Sequence, residues 1–169
     1  MMAYVDTNVI VARYFPEDEL HERATEFLEE SQDRKIISPV SLAELAAVLS
    51  RLDSSLSAPV ELLQASPKRR IRAVLEFMVR DSHLLVASVP AQAKFKLAGT
   101  ILSTPIEYLS CIRLAHLLNL KTLDLLHLVY ADNLRRSGHH VNAFATFDGE
   151  ILNKAALIQQ EMDIEITEP

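Results

Sequence analysis

Short apolar runs alternate with amphipathic stretches along the whole chain. The runs predict strands, because they are rich in β-branched residues and are bounded by proline, glycine or polar residues. Between them, apolar residues recur every three or four positions, which predicts helices. The predicted strands are the run at Tyr4 and Val5, followed by Lys35–Ser38, His83–Val89, Val141–Phe147 and Met162–Ile166. This alternation predicts an α/β domain with a parallel sheet.

Several segments carry more specific expectations. The helix predicted over Glu17–Ser31 places its acids on the solvent face, and another helix is predicted over Lys68–Asp81. His83–Val89 is almost entirely apolar, which predicts a strand buried on both faces. Residues 91–104 alternate briefly around Lys94 and Lys96 before Gly99, so we expect a loop or an addition to a sheet edge.

The first predicted strand ends in an acid, Asp6, and a helical pattern begins directly after it. In an open parallel sheet, ligands bind outside the carboxyl ends of the strands, so a carboxylate at this point faces a pocket-forming edge. The structural alternative is that Asp6 only caps the helix, with Thr7 and Asn8 helping to satisfy its first turn. Asp6 alone does not separate the two interpretations.

Three further acids lie at equivalent positions, and each has its own structural alternative. Glu44 completes the pattern Ser41-Leu42-Ala43-Glu44, which is typical of a capping box with Ser41 as the N-cap. Asp124 lies in the first turn of a helix, where its charge interacts favourably with the helix dipole. Asp148 follows a strand and is placed to cap the next helix.

The joint placement of the four acids favours chemistry over capping. All of them are predicted at one edge of the sheet, and carboxylates packed so closely raise one another's pKa. Their oxygens suit Mg²⁺ or Mn²⁺, and two such ions about 3.5–4 Å apart stabilise an in-line phosphoryl displacement. His127 is three residues beyond Asp124 and on the same helix face, either as a supporting partner of a carboxylate or as a satisfied core histidine.

Length and composition predict one domain over residues 1–169 that needs no disulfide for its core. Cys111 is the single cysteine and lies in an apolar stretch, which predicts a reducing, cytoplasmic setting. The amino terminus lacks the basic region of a signal peptide, and no apolar run is long enough to span a membrane. None of the three glycines belongs to a phosphate-binding loop, which excludes P-loop and dinucleotide-binding classes.

The net charge of −6 argues against a protein that coats nucleic acid through basic residues alone. It does not exclude a nuclease, because bound divalent cations invert the local charge where the substrate lies. One basic cluster stands out at the start of a predicted helix and is either a solvated face or a contact for RNA or an acidic partner: Lys68, Arg69, Arg70 and Arg72. Lys94 and Lys96 either shape an RNA groove or are ordinary surface residues.

These motifs together resemble those of the PIN domains, particularly the VapC-type toxin ribonucleases. The resemblance spans nearly the whole chain and rests on four motifs: Val5-Asp6-Thr7-Asn8, Ser41-Leu42-Ala43-Glu44, Leu123-Asp124-Leu125-Leu126-His127-Leu128 and Ala145-Thr146-Phe147-Asp148. Each motif is short, but their order and spacing are fairly specific. The stretch from Asp53 to Thr104 departs from the smallest such toxins, because it is longer and more basic.

The resemblance implies a fold, a site and an activity. The implied fold is a three-layer α/β/α sandwich around a five-stranded parallel sheet. The implied site has Asp6, Glu44, Asp124 and Asp148 as catalytic metal ligands for Mg²⁺ or Mn²⁺, with Thr7, Asn8 and Thr146 as polar supports. The implied activity is cleavage of RNA phosphodiesters, in a homodimeric toxin that a small antitoxin holds inactive. A free-standing RNA-processing nuclease and a non-catalytic interaction module are the alternatives.

Overall fold

A five-stranded sheet forms the centre of the molecule, and all of its neighbouring strands run parallel. The computed structural model describes residues 2–51, 56–64 and 66–169, apart from the side chains of Pro67 and Lys68. The strands of this sheet are β1 (Met2–Val5), β2 (Arg34–Ile37), β3 (Leu85–Val86), β6 (Ala143–Ala145) and β7 (Glu165–Thr167). Their order in the sheet is β3-β2-β1-β6-β7. The predicted parallel sheet is therefore confirmed.

Helices cover both faces of this sheet and complete the three-layer arrangement. They are α1 (Thr7–Tyr14), α2 (His21–Glu30), α3 (Pro39–Arg51), α4 (Val60–Leu63), α5 (Pro67–Asp81), α6 (Ile106–Leu118), α7 (Thr122–Leu134), α8 (Gly149–Leu152) and α9 (Ala155–Met162). A π-helical turn, Arg135–His139, follows α7 and contains Gly138, whose φ of 97° turns the chain away from the helix. Within the described ranges, no helix is long and apolar enough to cross a membrane.

Two apolar cores lie on opposite faces of the sheet because side chains alternate along each strand. Tyr4 of β1 and Phe144 of β6 belong to the core formed with α6, α7 and α9. Val5 of β1 faces the other way, into the core formed with α1, α2, α3 and α5. The chain thus buries both faces of its central strands, as parallel sheets require.

The prediction for the third strand was wrong in one respect. We expected His83–Val89 to be buried on both faces, but β3 has only two residues, and Leu85 and Val86 are both exposed. The strand lies at the edge of the sheet and pairs only with β2 in the described structure. Apolar composition indicated a strand correctly but did not reveal its place at the edge.

The segment expected as a loop or edge addition forms an antiparallel hairpin outside the main sheet. It consists of β4 (Gln92–Leu97) and β5 (Thr100–Pro105). Ala98 and Gly99 form the two-residue turn with φ of 48° and 85°, the left-handed backbone that tight hairpin turns require. The preceding Ser-rich stretch from Asp53 lies partly outside the described residues.

Candidate metal centre

The four predicted site acids belong to segments that follow strands or begin helices at the carboxyl edge of the sheet. Asp6 is the single residue between β1 and α1. Its backbone amide donates to the carbonyl of Ala145 at 3.0 Å, which ties the end of β1 to the end of β6. Asp148 follows β6, Glu44 lies in α3 after β2, and Asp124 lies in the first turn of α7. The topology thus directs all four toward one region.

Asp6 is held by the residues that the sequence predicted as its polar supports. Its Oδ1 accepts the amide of Thr7 at 2.7 Å, so Asp6 does cap α1. Its Oδ2 accepts the hydroxyl of Thr146 at 2.6 Å and the side-chain amide of Asn8 at 2.9 Å. Asn8 in turn accepts the amide of Phe147 at 3.2 Å through Oδ1. The carboxylate of Asp6 therefore caps α1 and also lies in the candidate site.

Glu44 is not part of a capping box with Ser41 as the N-cap. Helix α3 begins at Pro39, and the Oγ of Ser41 accepts the amide of Ser38 at 3.4 Å, so Ser41 lies inside the first turn. Glu44 therefore lies about one turn further along the helix. Its Oε2 accepts a hydrogen bond from Nε2 of His127 at 2.9 Å. The capping-box interpretation of Glu44 was therefore wrong.

Asp6, Glu44 and His127 form the tightest part of the site. One carboxylate oxygen from each acid and one ring nitrogen of His127 all lie within 4.8 Å of one another. Asp124 and Asp148 are outside this group but interact electrostatically with each other, and Asp124 also with Asp6. Asp148 caps α8 as predicted, because its Oδ1 accepts the amides of Glu150 at 2.7 Å and Ile151 at 3.1 Å.

The acids differ in their electrostatic environment. Burial raises the pKa of Asp6 despite the nearby His127 and the hydrogen bond from Thr146. Burial also raises the pKa of Asp124, and the charges of Asp148 and Asp6 add to the effect. For Glu44, burial is the largest influence and acts in the same direction, but the combined effect of His127, Thr7 and Arg51 outweighs it and lowers the pKa. The expectation of raised pKa values was therefore right for Asp6 and Asp124 and wrong for Glu44.

These side chains fit a hard divalent cation. Oδ2 of Asp124 is buried and accepts no hydrogen bond from the residues that the structure describes. A buried carboxylate oxygen without a donor is unfavourable unless a cation or an ordered water satisfies it. The atoms of the four acids that could bind a cation are carboxylate oxygens, and these suit Mg²⁺ and Mn²⁺ better than soft metals.

Asp124→Asn is expected to raise the metal-free stability of the protein, because it removes a charge that burial and Asp148 disfavour. The carboxyl is only half-buried, so the gain in the free energy of unfolding is about 0.5–1 kcal/mol. Urea unfolding in the presence of a chelator measures it. Asp18→Asn, an exposed acid before α2, is the matched control. A clear loss of stability in Asp124→Asn alone would show that this carboxylate has a favourable partner.

The predicted basic residues lie on two elements, α5 and β4. Arg69 and Arg72 are exposed on α5, and Arg72 forms an ion pair with Glu76 at 2.9 Å. Arg70 is half-buried, and the side chain of Lys68 lies outside the described residues. Lys94 and Lys96 are exposed on the same face of the hairpin strand β4.

Two residues at the site were missed by sequence reasoning. The hydroxyl of Tyr4 contacts Nδ1 of His127 at 2.9 Å, and a signal was present, because a buried tyrosine hydroxyl needs a partner. Lys121 lies just before α7, forms an ion pair with Glu150 at 3.4 Å and interacts electrostatically with Asp124 and Asp148. Its side chain is exposed, and no pattern distinguished it from other surface lysines.

Fold and site together define a class of protein: a three-layer α/β/α domain with an acidic, cation-compatible centre at the carboxyl edge of its sheet. Comparison with known families makes this more specific. The sequence model of the PIN domain matches residues 3–157. The chain belongs to the PIN domain family, which confirms the resemblance seen in its motifs.

One solved structure with the same fold is the crystal structure of VapBC2 from Rickettsia felis bound to a DNA fragment from their promoter. The match covers 99% of this chain and 98% of that chain, with a TM-score of 0.54 and 14% sequence identity. At this identity the likeness concerns the fold alone. No curated protein sequence matches the chain significantly.

Proposed function

We propose that this protein is a metal-dependent endoribonuclease that hydrolyses RNA phosphodiesters with Mg²⁺ or Mn²⁺. The observation that carries the proposal is the approach of carboxylate oxygens of Asp6 and Glu44 within 4.8 Å. The charge of Asp124 interacts with that of Asp6, and its buried Oδ2 has no hydrogen-bond partner among the described residues. A module without chemistry has no reason to bury mutually repelling carboxylates together. Membership of the PIN family, whose domains are typically nucleases, supports the same conclusion.

The residues have distinct roles in this proposal. Asp6, Glu44, Asp124 and Asp148 would hold the cation, and Asn8 and Thr146 keep the carboxylate of Asp6 in place. A divalent cation at this centre supplies positive charge next to a phosphodiester and makes water a stronger nucleophile. Without it the site is strongly acidic and repels phosphate, so RNA binding and cleavage depend on prior loading of the carboxylates.

We also propose that the protein acts as the toxin of a toxin–antitoxin pair, with a small antitoxin as its partner and a homodimer as its assembly. The support is the matching fold of a protein named as VapBC2 and the four motifs shared with VapC-type toxins. A cytoplasmic location accords with a single, buried cysteine. A stand-alone RNA-processing nuclease with the same site is the nearest alternative.

The test is a cleavage assay on the purified chain with structured and single-stranded RNA. We expect cleavage with Mg²⁺ or Mn²⁺, loss of cleavage with a chelator, and recovery when the metal is restored. Each reaction is compared with the Asp6→Asn variant to exclude a contaminating ribonuclease. Metal-independent cleavage, or equal cleavage by the variant, would contradict the proposal. Binding of RNA without cleavage would favour the non-catalytic module.

Lys94→Ser together with Lys96→Ser is expected to weaken RNA binding mainly through its salt dependence. If each lysine contacts one phosphate, the slope of log K against log salt becomes shallower by about 1.4, at roughly 0.7 per contact for a single strand. Arg34→Ser is the control, because Arg34 begins β2 and lies at the opposite, amino-terminal edge of the sheet. A slope unchanged by the lysine replacements would make β4 an ordinary solvated strand.

A further inference from the structure

A buried chain of hydrogen bonds links the centre of the sheet to Glu44. The hydroxyl of Tyr4, at the end of β1, lies 2.7 Å from Oγ of Ser38 and 3.2 Å from Oγ of Ser41. The same hydroxyl contacts Nδ1 of His127 at 2.9 Å, and Nε2 of His127 contacts Oε2 of Glu44 at 2.9 Å. The chain therefore joins β1, α3 and α7.

Donor and acceptor chemistry fixes the direction of the last bond. An ionised carboxylate only accepts hydrogen bonds, so Nε2 of His127 must carry a proton. In the neutral ring, Nδ1 then accepts the hydroxyl proton of Tyr4, whose oxygen accepts from the serine hydroxyls. In the charged ring both nitrogens donate, and Nε2 still donates to Glu44. The contact with Glu44 is thus the same in either state of the imidazole.

The position of His127 argues against a role as a metal ligand. Both ring nitrogens are already engaged, one by Tyr4 and one by Glu44, and the side chain is only 2% exposed. Ligation of a metal would require one of these contacts to break. The ring also packs edge-on against Tyr4, whose own ring stacks on Phe144 with centroids 5.3 Å apart. The imidazole is therefore held by packing as well as by hydrogen bonds.

Glu44 needs such a support more than Asp6 does. The carboxylate of Asp6 accepts from three donors, in Thr7, Asn8 and Thr146. Glutamate has an additional rotatable bond, and Glu44 is part-exposed. Confining a long side chain costs conformational entropy. A fixed donor that holds the carboxylate before the cation arrives means that cation binding no longer carries this cost. The bond from His127 engages only one of the two carboxylate oxygens, Oε2.

We propose that His127 is the positioning residue for Glu44, held in place by Tyr4, and that it orients this carboxylate for the cation without ligating it. The inference rests on the proposed function, because it assumes that Glu44 belongs to the metal centre. It predicts that the donor at the Nε2 position matters and that the imidazole as such does not.

Three variants separate this role from simple core packing. His127→Gln retains an amide donor that reaches Glu44, His127→Leu fills the buried space without a donor, and Tyr4→Phe removes only the hydroxyl that holds the ring. If the side chain served packing alone, the apolar leucine would be the better replacement. If it positions Glu44, the glutamine would be. Thermal unfolding in a chelator verifies that each variant is folded.

The measurement is the Mn²⁺ affinity of each folded variant without RNA, from the electron paramagnetic resonance signal of free Mn²⁺. We expect His127→Leu to bind Mn²⁺ about 10–100-fold more weakly, the range found when the partner of a metal ligand is lost. His127→Gln should recover most of the affinity, and Tyr4→Phe should lie between His127→Leu and the parent. Equal affinities in all variants, or a better result for leucine than for glutamine, would overturn the proposal.

Two further readouts complete the test. In RNA cleavage at saturating Mn²⁺, His127→Leu should lower kcat with little change in KM, because the carboxylate contacts the cation and not the bulk of the RNA. Histidine ¹⁵N spectra should show a protonated Nε2 both without metal and with Mg²⁺, and loss of that proton on metal addition would make His127 a ligand and overturn the proposal. If the parent binds Mn²⁺ but cleaves no RNA, the proposed function fails, while the affinities still decide the role of His127.

Discussion

Asp6→Asn is expected to lower RNA cleavage by about 1,000-fold, the scale on which loss of one group that organises transition-state charge acts. Asp6 is the acid at the centre of the site, because it lies within 4.8 Å of Glu44 and interacts electrostatically with Asp124. An amide at this position keeps the size of the side chain but presents one oxygen in place of two. Cation binding therefore loses both charge and a ligand atom.

The same substitution should leave the protein folded, because two effects on stability oppose each other. The pKa of Asp6 is raised, mainly by burial, so removing its charge favours the folded state. Against this, an asparagine places an amide group next to the donors of Thr7 or of Asn8 and loses part of their hydrogen bonding. Each lost bond costs about 1 kcal/mol, which limits the net change to roughly that size.

The measurements are single-turnover cleavage at saturating Mn²⁺ and urea unfolding in a chelator. Asp18→Asn serves as the matched control, since Asp18 is exposed and its oxygen accepts the amide of Leu20, a bond that asparagine can also accept. Near-parental cleavage by folded Asp6→Asn would remove Asp6 from the metal centre. If Asp18→Asn also lost cleavage, the loss in Asp6→Asn would reflect the change in the net charge of the protein and not a role of Asp6 in the metal centre.

The sequence indicated Asp6, Asp124 and Asp148 through local pattern, because each lies where a strand ends or a helix begins. Strand ends and helix starts are set by residues close together in the sequence, so the periodicity of apolar residues is enough to locate them. The parallel sheet followed from the same alternation of elements. Local pattern alone cannot say whether a helix cap also belongs to a metal site, and the carboxylate of Asp6 both caps α1 and lies in the candidate metal-binding group.

The role of Glu44 depended on contacts that local pattern does not encode. The Ser41–Glu44 spacing fits a capping box, but Ser38 and Pro39 start the helix earlier, and Ser41 bonds back to the amide of Ser38 instead. The partner of Glu44 is His127, 83 residues further along the chain. Only the packing of α3 against α7 brings them together, and this contact, together with Thr7 and Arg51, lowers the pKa of Glu44 against the effect of burial.

Edges of the structure were predicted least well. Leu85 and Val86 are as apolar as the residues of central strands, yet they form a short edge strand with exposed side chains. Among the described strands, β4 and β5 pair only with each other across a tight turn, and the brief alternation around Lys94 and Lys96 indicated a strand without revealing this partner. In both cases the missing information was which strand lies next to which.

Glu44→Gln is expected to lower cleavage by about 100-fold while preserving the contact with His127. The oxygen of a glutamine side chain accepts the Nε2 proton as the carboxylate does, so the geometry is retained and the charge is lost. The pKa of Glu44 is lowered in the folded state, which means that its charge is favourable there above the ordinary carboxyl pKa. Metal-free stability at neutral pH should therefore fall slightly, by less than about 1 kcal/mol because the side chain is part-exposed.

Metal addition distinguishes a ligand from a structural acid at this position. A cation that binds only the folded state stabilises it more the tighter it binds, so Mn²⁺ should raise the unfolding temperature of Glu44→Gln less than that of the parent. Glu26→Gln, on the exposed face of α2, is the matched control and should respond to Mn²⁺ as the parent does. Thermal unfolding with and without Mn²⁺, alongside cleavage by the three proteins, gives the answer. If Glu44→Gln cleaves RNA normally and gains as much stability from Mn²⁺ as the parent, Glu44 is not a ligand, and the contact with His127 serves only to join α3 to α7.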